Sequence, residues 1–236
     1  LPVPSHPQLH GYGHPQYVNV QYPWDGCEDV KPGQVPEKFN PVSSYVKYFT
    51  LPEYMAGMRI FISFQGAESG LAVWCNGHYV GYGEDGFTPS EFELTEYLVP
   101  GENKLAAQVF QYTNASWMED QDFFRFSGIF REVFLYAVPA VHVRDMKITT
   151  PLADGFASGE VRVALEAAGE GHAALRLYEG ETQIAGSSIS LPTESEAVLP
   201  VDHPRLWSAE KPFLYRLSIE VFDASGALTE TVWETV

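Results

Sequence analysis

Three acidic residues, Glu119, Asp120 and Asp122, lie in a stretch that is otherwise dominated by aromatic side chains. A carboxylate among aromatic rings is costly unless cations or hydrogen bonds compensate its charge. Two arginines that follow, Arg125 and Arg131, supply possible partners. Carboxylates in such surroundings occur at functional sites and also in purely structural ion pairs. Composition alone favours the structural alternative, a surface loop whose acids pair with the two arginines.

Residues 127–136, which follow these acids, alternate in the way expected of a β-strand. Hydrophobic side chains such as Ile129 and Val133 occupy one set of alternating positions, and Phe130 and Phe134 occupy the other. This pattern predicts one continuous strand that is covered on both faces. The acidic residues therefore stand immediately before a strand that is expected to be buried.

Two other stretches carry patterns with a structural meaning. Residues 73–82 read Val-Trp-Cys-Asn-Gly-His-Tyr-Val-Gly-Tyr, and the central Asn76-Gly77 pair accepts positive φ at both positions of a type I′ turn. Residues 89–94 read Pro-Ser-Glu-Phe-Glu-Leu, and residues 101–105 read Gly-Glu-Asn-Lys-Leu. The first stretch predicts a β-hairpin, and the last predicts a turn into another strand.

These stretches, together with Glu-Asp-Gln-Asp-Phe-Phe-Arg-Phe-Ser-Gly-Ile-Phe-Arg-Glu-Val at residues 119–133, resemble one protein family. The resemblance is to the non-catalytic amino-terminal region of the family 2 glycoside hydrolases, specifically the large β-galactosidases, and it spans nearly the whole chain. It implies an all-β fold. Residues 1–139 are expected to form a galactose-binding-like jelly-roll β-sandwich, and residues 140–236 an immunoglobulin-like β-sandwich.

The residues themselves also indicate two β-domains. A chain of 236 residues with 45% hydrophobic content can bury one or two cores. After about Ala140 the aromatic residues thin out, and short alternating runs of valine, leucine and alanine take over. Their spacing of about 10–20 residues is typical of an immunoglobulin-like sandwich. Within this second part, the Leu-Trp-Ser segment at residues 206–208 is expected to form a corner anchored by Trp207.

The resemblance implies roles for two residues. Asn19 stands in Asn-Val-Gln-Tyr-Pro, which matches an Asn-Val-x-Tyr-Pro motif of the family, and Asp122 matches an aspartate that reaches into the galactose pocket. Both are therefore expected to bind the galactoside substrate, and Asp122 is also expected to contact a monovalent cation. From the residues alone, Asn19 is more often a hydrogen-bonding group at a strand end, and Asp122 an arginine-paired loop acid.

No pattern in the chain supplies a catalytic centre. Retaining glycosidases use two carboxylates about 5–5.5 Å apart. In this family they are carried by a (β/α)₈ barrel of about 250 residues, and the acid/base glutamate follows an asparagine. None of the five asparagines here precedes a glutamate. We therefore expect an inactive piece of a β-galactosidase that hydrolyses terminal β-D-galactose residues, as in lactose, and that supports and completes the galactose subsite.

The catalytic barrel is expected downstream in the same chain, and the parent enzyme is expected to be a homo-oligomer. The resemblance implies Mg²⁺ and Na⁺ for the full-length enzyme, with neither held by this region alone. It also implies that the chain lacks the first strands of the first sandwich and the last strand of the second. Two alternatives remain open: a stand-alone carbohydrate-binding module, and the same region of a β-glucuronidase or β-mannosidase.

Charge and cysteine content limit the remaining possibilities. The formal net charge of −17 repels phosphate backbones and anionic lipids, so nucleic-acid and membrane-surface partners are not expected. No apolar run approaches the roughly 20 residues of a membrane span. With only Cys27 and Cys75, both expected to be free and Cys75 buried, we expect a cytoplasmic protein.

Three histidines, His6, His10 and His14, recur every four residues and would form a metal-binding face on a helix. Pro7 and Gly11, with other prolines and glycines nearby, are incompatible with that helix. We therefore do not expect a metal site at these histidines.

Overall fold

The computed structural model describes residues 1–119 and 122–236, and these residues form two compact units, Leu1–Ala137 and Val138–Val236. The chain is 51% strand and 7% helical, which confirms the predicted all-β class. In the described ranges no helix is long and apolar enough to cross a membrane.

The first unit is built from short strands and single 3₁₀ turns. Its strands are β1 (Gln16–Val18), β2 (Val42–Thr50), β3 (Arg59–Phe64), β4 (Ala67–Glu68), β5 (Gly70–Cys75), β6 (His78–Gly83), β7 (Ser90–Glu93), β8 (Glu102–Phe110), β9 (Phe123–Arg125), β10 (Gly128–Ile129) and β11 (Val133–Val138). The 3₁₀ turns are Pro7–His10, Glu53–Met55, Thr95–Tyr97 and Asn114–Trp117.

Two sheets enclose the core of the first unit. One has the strand order β2-β8-β5-β6 and the other β11-β3-β7, while β1 pairs with β9 and β4 with β10 in two small ladders. Alternating positions of the paired strands point inward, as the pleat requires. The side chains packed between the sheets are Ile62, Phe64, Ala67, Leu71, Val73, Cys75, Leu94, Ala107, Val109 and Ile129.

The predicted hairpin at Asn76-Gly77 is confirmed. Asn76 has φ 52° and Gly77 has φ 85°, the two positive values that a type I′ turn needs. The Asn76 amide also donates to the Tyr97 carbonyl and to Oδ1 of Asn103, each at 2.8 Å. The hairpin is therefore held by its own turn chemistry and by a polar contact with the neighbouring loop.

The predicted continuous strand over residues 127–136 is wrong in two respects. It is interrupted between β10 and β11, because the amides of Phe130 and Arg131 both donate to the single carbonyl of Gly66. Two residues opposite one partner make a bulge, which ends one ladder and starts another. Moreover, β11 is not covered on both faces, since Phe134 is 44% exposed.

The second unit is a two-sheet sandwich. Its strands are β12 (His142–Thr149), β13 (Ser158–Ala168), β14 (Gly171–Glu179), β15 (Thr182–Leu191), β16 (Glu196–Asp202), β17 (Arg216–Asp223) and β18 (Leu228–Thr235), with the short 3₁₀ turn Asp154–Phe156. The sheets have the orders β12-β13-β16 and β15-β14-β17-β18. Three strands facing four is the arrangement of an immunoglobulin-like sandwich.

Trp207 does not anchor a corner, because its side chain is 61% exposed. The nearby Tyr215 takes that role instead: it is 9% exposed, and its hydroxyl accepts a 2.7 Å hydrogen bond from the Arg205 amide. The two cysteines are free, and the prediction that Cys75 is buried is confirmed, whereas Cys27 is exposed.

We predict that Asn103→Ala destabilises the first unit by about 2–4 kcal/mol. The substitution removes the side-chain amide, and each buried group left without its hydrogen bond costs about 1–3 kcal/mol. Asn103 is fully buried; it accepts from Val99 N and Asn76 Nδ2 and donates to the carbonyls of Val99 and Gly101. Urea unfolding measures the loss. The control, Asn114→Ala at an exposed position, is expected to change stability by less than about 0.5 kcal/mol. Equal losses in the two variants would contradict the prediction.

Candidate functional site

The pairing of β1 with β9 brings the two sequence-predicted ligand residues to one place. The strands are antiparallel, with Tyr17 opposite Phe124 and Val18 opposite Phe123. In an antiparallel pair, the end of one strand lies beside the beginning of the other. Asn19 follows the end of β1 and Asp122 precedes the beginning of β9, so residues about a hundred positions apart become neighbours.

Tyr17 connects these two residues, and the sequence analysis missed it. Its hydroxyl donates to Oδ1 of Asp122. The hydrogen bond to this carboxylate, followed by partial burial and the carboxylate charge, raises the pKa of the Tyr17 phenol, while the Asn19 side chain acts on the same phenol and lowers its pKa. A sequence signal existed: Tyr17 stands only two positions before Asn19, in the short segment whose strand β1 covers Gln16–Val18.

Arg125 compensates Glu119, one of the three acids for which it was predicted as a partner, and it does so partly through the backbone. Its guanidinium is only 5% exposed, and Nη1 donates to the Glu119 carbonyl oxygen at 2.6 Å. The same group lies 4.7 Å from the centroid of the Phe123 ring, a favourable cation–π distance. Asp120, which the sequence also suggested as a partner of Arg125, lies outside the described residues. Arg125 therefore ties the beginning of this loop to strand β9.

Arg131 does not compensate these acids, contrary to the sequence-based interpretation. Its Nη1 donates to the Phe87 carbonyl at 2.6 Å and to the Gln65 carbonyl at 3.3 Å. The guanidinium also lies 5.2 Å from the centroid of the Phe130 ring. Its donors are directed to backbone carbonyls because the bulge after β10 turns residue 131 toward those loops.

Glu68 is a buried acid that no sequence pattern singled out. Its side chain stands on β4, opposite Gly128 of β10, and the residue is only 9% exposed. Burial raises the pKa of Glu68 to about 7, the charge of Arg125 opposes that rise, and the charge of Glu119 adds to it. The carboxyl therefore exchanges its proton near neutral pH.

Glu119 shares this environment. Burial is the main cause that raises its pKa, and the neighbouring charges of Asp85 and Glu84 act in the same direction, while Arg125 lowers it. Arg125 is thus a cation shared between Glu68 and Glu119. Asp122 differs from both of these acids. Its described contact is a hydrogen bond from the hydroxyl of Tyr17, a residue that is half-exposed.

The oxygen atoms of Asp122, Tyr17 and Asn19 suit a hard monovalent cation, which binds oxygen ligands. They do not make a complete divalent site. Across residues 1–119 and 122–236, no group of three or more histidine, cysteine, aspartate or glutamate residues is placed to hold a metal ion.

His6, one of the three regularly spaced histidines, packs against neighbouring aromatic rings. Its ring stacks on Phe126 and Phe130, with centroid distances of 4.6 and 5.3 Å, and its Nδ1 lies 3.0 Å from the Ser127 carbonyl oxygen. The ring therefore packs the amino-terminal segment against the residues around β10.

Known proteins similar to this chain share both units. Residues 1–139 match the family described as glycosyl hydrolases family 2, sugar binding domain, and residues 141–236 match glycosyl hydrolases family 2. A β-galactosidase of Halalkalibacterium halodurans is 48% identical over 98% of this chain and 23% of its own length. One of Clostridium acetobutylicum is 44% identical over 100% of this chain and 27% of its own length. The chain spans about a quarter of the length of these curated relatives.

Solved structures extend the similarity to more distant proteins. A β-glucuronidase from Ruminococcus gnavus, in complex with uronic deoxynojirimycin, matches 82% of this chain with a TM-score of 0.68 and 22% identity. The match covers 35% of that protein. At this level of identity the likeness concerns the fold alone.

We predict that Glu68→Gln removes a pH dependence of stability. Because the folded-state pKa of Glu68 is raised, the folded protein binds more protons than the unfolded chain between pH 4.5 and about 7, and stability falls as pH rises through that window. Relative to wild type, the glutamine variant should gain up to about 3 kcal/mol between pH 4.5 and 8. Urea unfolding at each pH measures this gain.

The matched control is Glu53→Gln, which makes the same change at an exposed position. Its unfolding free energy is expected to run parallel to that of wild type across the same pH range. A constant difference between wild type and Glu68→Gln would show that folding does not raise the pKa of the Glu68 carboxyl.

Proposed function

Because the chain belongs to glycosyl hydrolase family 2, we propose that it is the amino-terminal, non-catalytic part of a β-galactosidase. The parent enzyme would hydrolyse terminal non-reducing β-D-galactose residues, as in lactose-type substrates. Support comes from β-galactosidases that are 44–48% identical along the whole of this chain. The role of this region is to scaffold the active site and to complete its galactose subsite.

The observation that carries this role is the convergence of Asn19, Tyr17 and Asp122 at the β1–β9 pair. A carboxylate, an amide and a phenol provide the donors and acceptors that fix a sugar hydroxyl. The exposed ring of Phe124 lies 5.5 Å from that of Tyr17, centroid to centroid, and adds an apolar surface. We assign to Asp122 and Asn19 the hydrogen bonds to galactose.

The bond-breaking step belongs to another part of the enzyme. It needs two carboxylates that both reach the substrate, about 5–5.5 Å apart. Glu68 is buried, and Glu119 shares the Arg125 charge with it, so these two acids are committed to the fold. A downstream (β/α)₈ barrel of the same polypeptide would supply the reacting carboxylates. We propose that the full-length enzyme is a cytoplasmic homo-oligomer.

Asp122 is also proposed as a ligand of Na⁺. When bound, the cation would supply a positive charge that orients a sugar hydroxyl. Asp122 contributes a carboxylate oxygen to this arrangement, and the protein places that oxygen at the exposed edge of the β1–β9 pair. Mg²⁺ of the full-length enzyme is proposed to need ligands beyond this region, because the family resemblance implies that this region alone does not hold it.

We predict that Asp122→Asn in the full-length enzyme lowers both kcat and kcat/KM and weakens activation by Na⁺. The amide keeps the shape and can still accept from Tyr17, but charge-assisted contacts worth roughly 1.5–3 kcal/mol are lost, so turnover should fall by about 10- to 150-fold. The melting temperature is expected to stay the same. Kinetics and thermal melting across a Na⁺ titration measure both effects.

Asp29→Asn, at an exposed aspartate, is the matched control and should leave kinetics and Na⁺ activation unchanged. An Asp122→Asn enzyme that is destabilised but fully active would show that Asp122 is a structural acid. In that case its role as a substrate ligand would be refuted.

The 236-residue chain alone is expected to hydrolyse no chromogenic β-galactoside, because the reacting carboxylates are proposed to lie in the downstream barrel. Circular dichroism would establish that the purified chain is folded, and calorimetry with galactose would be run in parallel. Tight galactose binding without turnover would favour the stand-alone carbohydrate-binding module. Turnover that co-purifies with the chain through successive columns would contradict the proposal.

A further inference from the structure

We propose that Tyr17 is a positioning residue for Asp122, an inference that rests on the proposed function. The Tyr17 hydroxyl donates to Oδ1 of Asp122. Among the described residues, none donates a hydrogen bond to Oδ2, so in this proposal Oδ2 would be the oxygen that meets the sugar. Tyr17 thereby selects which carboxylate oxygen meets the sugar and in which orientation.

Tyr17 can do this because strand β1 is anchored on its inner face. Val18 is 8% exposed, and Gln16 donates to the Pro23 carbonyl at 2.8 Å. The Gln16 side chain also accepts a 2.8 Å hydrogen bond from the hydroxyl of buried Tyr112. Since neighbouring side chains in a strand point to opposite faces, the phenol of Tyr17 projects outward from a fixed backbone.

The opposite strand holds the Tyr17 ring in place. The rings of Tyr17 and Phe124 are directly across the β1–β9 ladder, with a centroid distance of 5.5 Å and an angle of 51° between their planes. Such cross-strand aromatic contacts fix ring orientation. The Phe124 ring therefore restricts the orientations of the phenol, although Tyr17 is 51% exposed.

Asp122 needs such a donor because it precedes β9 and lies outside the ladder. An unrestrained aspartate would lose rotamer freedom when a ligand binds, and that loss weakens affinity. A hydrogen bond from a phenol to a carboxylate is charge-assisted and sets the rotamer before the ligand arrives. Asn19 acts on the same phenol, so one tyrosine aligns both proposed ligand residues.

The alternative is that Tyr17 contributes only the packing of its ring against Phe124. Tyr17→Phe separates the two roles, since phenylalanine keeps the ring and removes the hydroxyl. Tyr48→Phe is a suitable control: Tyr48 is 54% exposed on strand β2, and its hydroxyl makes no hydrogen bond to the described residues. Both variants are made in the full-length enzyme.

The test is a double-mutant cycle with Tyr17→Phe, Asp122→Asn and the double variant. Binding of a non-hydrolysable thiogalactoside is measured by calorimetry without Na⁺, and kcat, KM, the Na⁺ activation constant and the melting temperature are measured alongside. Tyr17→Phe should weaken thiogalactoside binding about tenfold, the size expected for loss of one hydrogen bond to a charged group. In the Asp122→Asn background, the same change should cost less than about twofold.

A crystal structure of the Tyr17→Phe enzyme gives a readout independent of activity and of folding stability. The Asp122 carboxylate is expected to adopt a different or a mixed orientation. An unchanged orientation overturns the proposal, and so do additive losses in the cycle, because either result means that Tyr17 does not act through Asp122.

The outcomes also separate this proposal from the proposed function. If Tyr17→Phe and Tyr48→Phe both behave as wild type while Asp122→Asn loses binding, the positioning role fails and the sugar-binding role of Asp122 stands. If Asp122→Asn itself binds thiogalactoside normally, the proposed role of Asp122 fails, and the positioning role fails with it.

Discussion

Burial of the Arg125 guanidinium is the constraint on which the proposed site depends. A buried cation is tolerated only when nearby groups compensate its lost hydration. Here the compensation comes from the Glu119 carbonyl, the Phe123 ring and the charges of Glu68 and Glu119. These partners belong to β4, to β9 and to the segment before β9. Satisfying one charge therefore brings two distant pieces of chain together, strand β4 and the stretch that includes Glu119 and β9.

The same charge explains why neighbouring acids behave differently. Glu68 and Glu119 share one arginine, and burial outweighs its attraction at both, so both pKa values are raised. Asp122, three residues before Arg125, instead receives a phenol hydroxyl at an exposed edge. Ionising Glu68 or Glu119 therefore opposes folding, whereas Asp122 keeps its carboxylate at the exposed edge of the β1–β9 pair.

Structural features that depend on adjacent residues could be predicted from the sequence, whereas features that depend on residues far away in the chain could not. Asn76-Gly77 predicts its hairpin because the turn needs only positive φ at two adjacent residues. The break after Ile129 arises from the carbonyl of Gly66, and no alternation near Ile129 reveals it. Asn19 and Asp122 were suggested by family resemblance alone. Their contact through Tyr17 depends on the β1–β9 register, which joins segments far apart in sequence.

The fold cannot by itself set the substrate, because a β-glucuronidase shares it with a TM-score of 0.68 at only 22% identity. A sandwich pair is a support whose function resides in the side chains placed on it. In this chain those side chains stand at the ends of the short β1 and β9 strands, outside both main sheets. Neither Asn19 nor Asp122 is among the residues packed in the core of the first unit, so substitutions there leave that core intact. In the role proposed for this edge, sugar recognition and folding stability would rest on different residues, with Arg125 close to both.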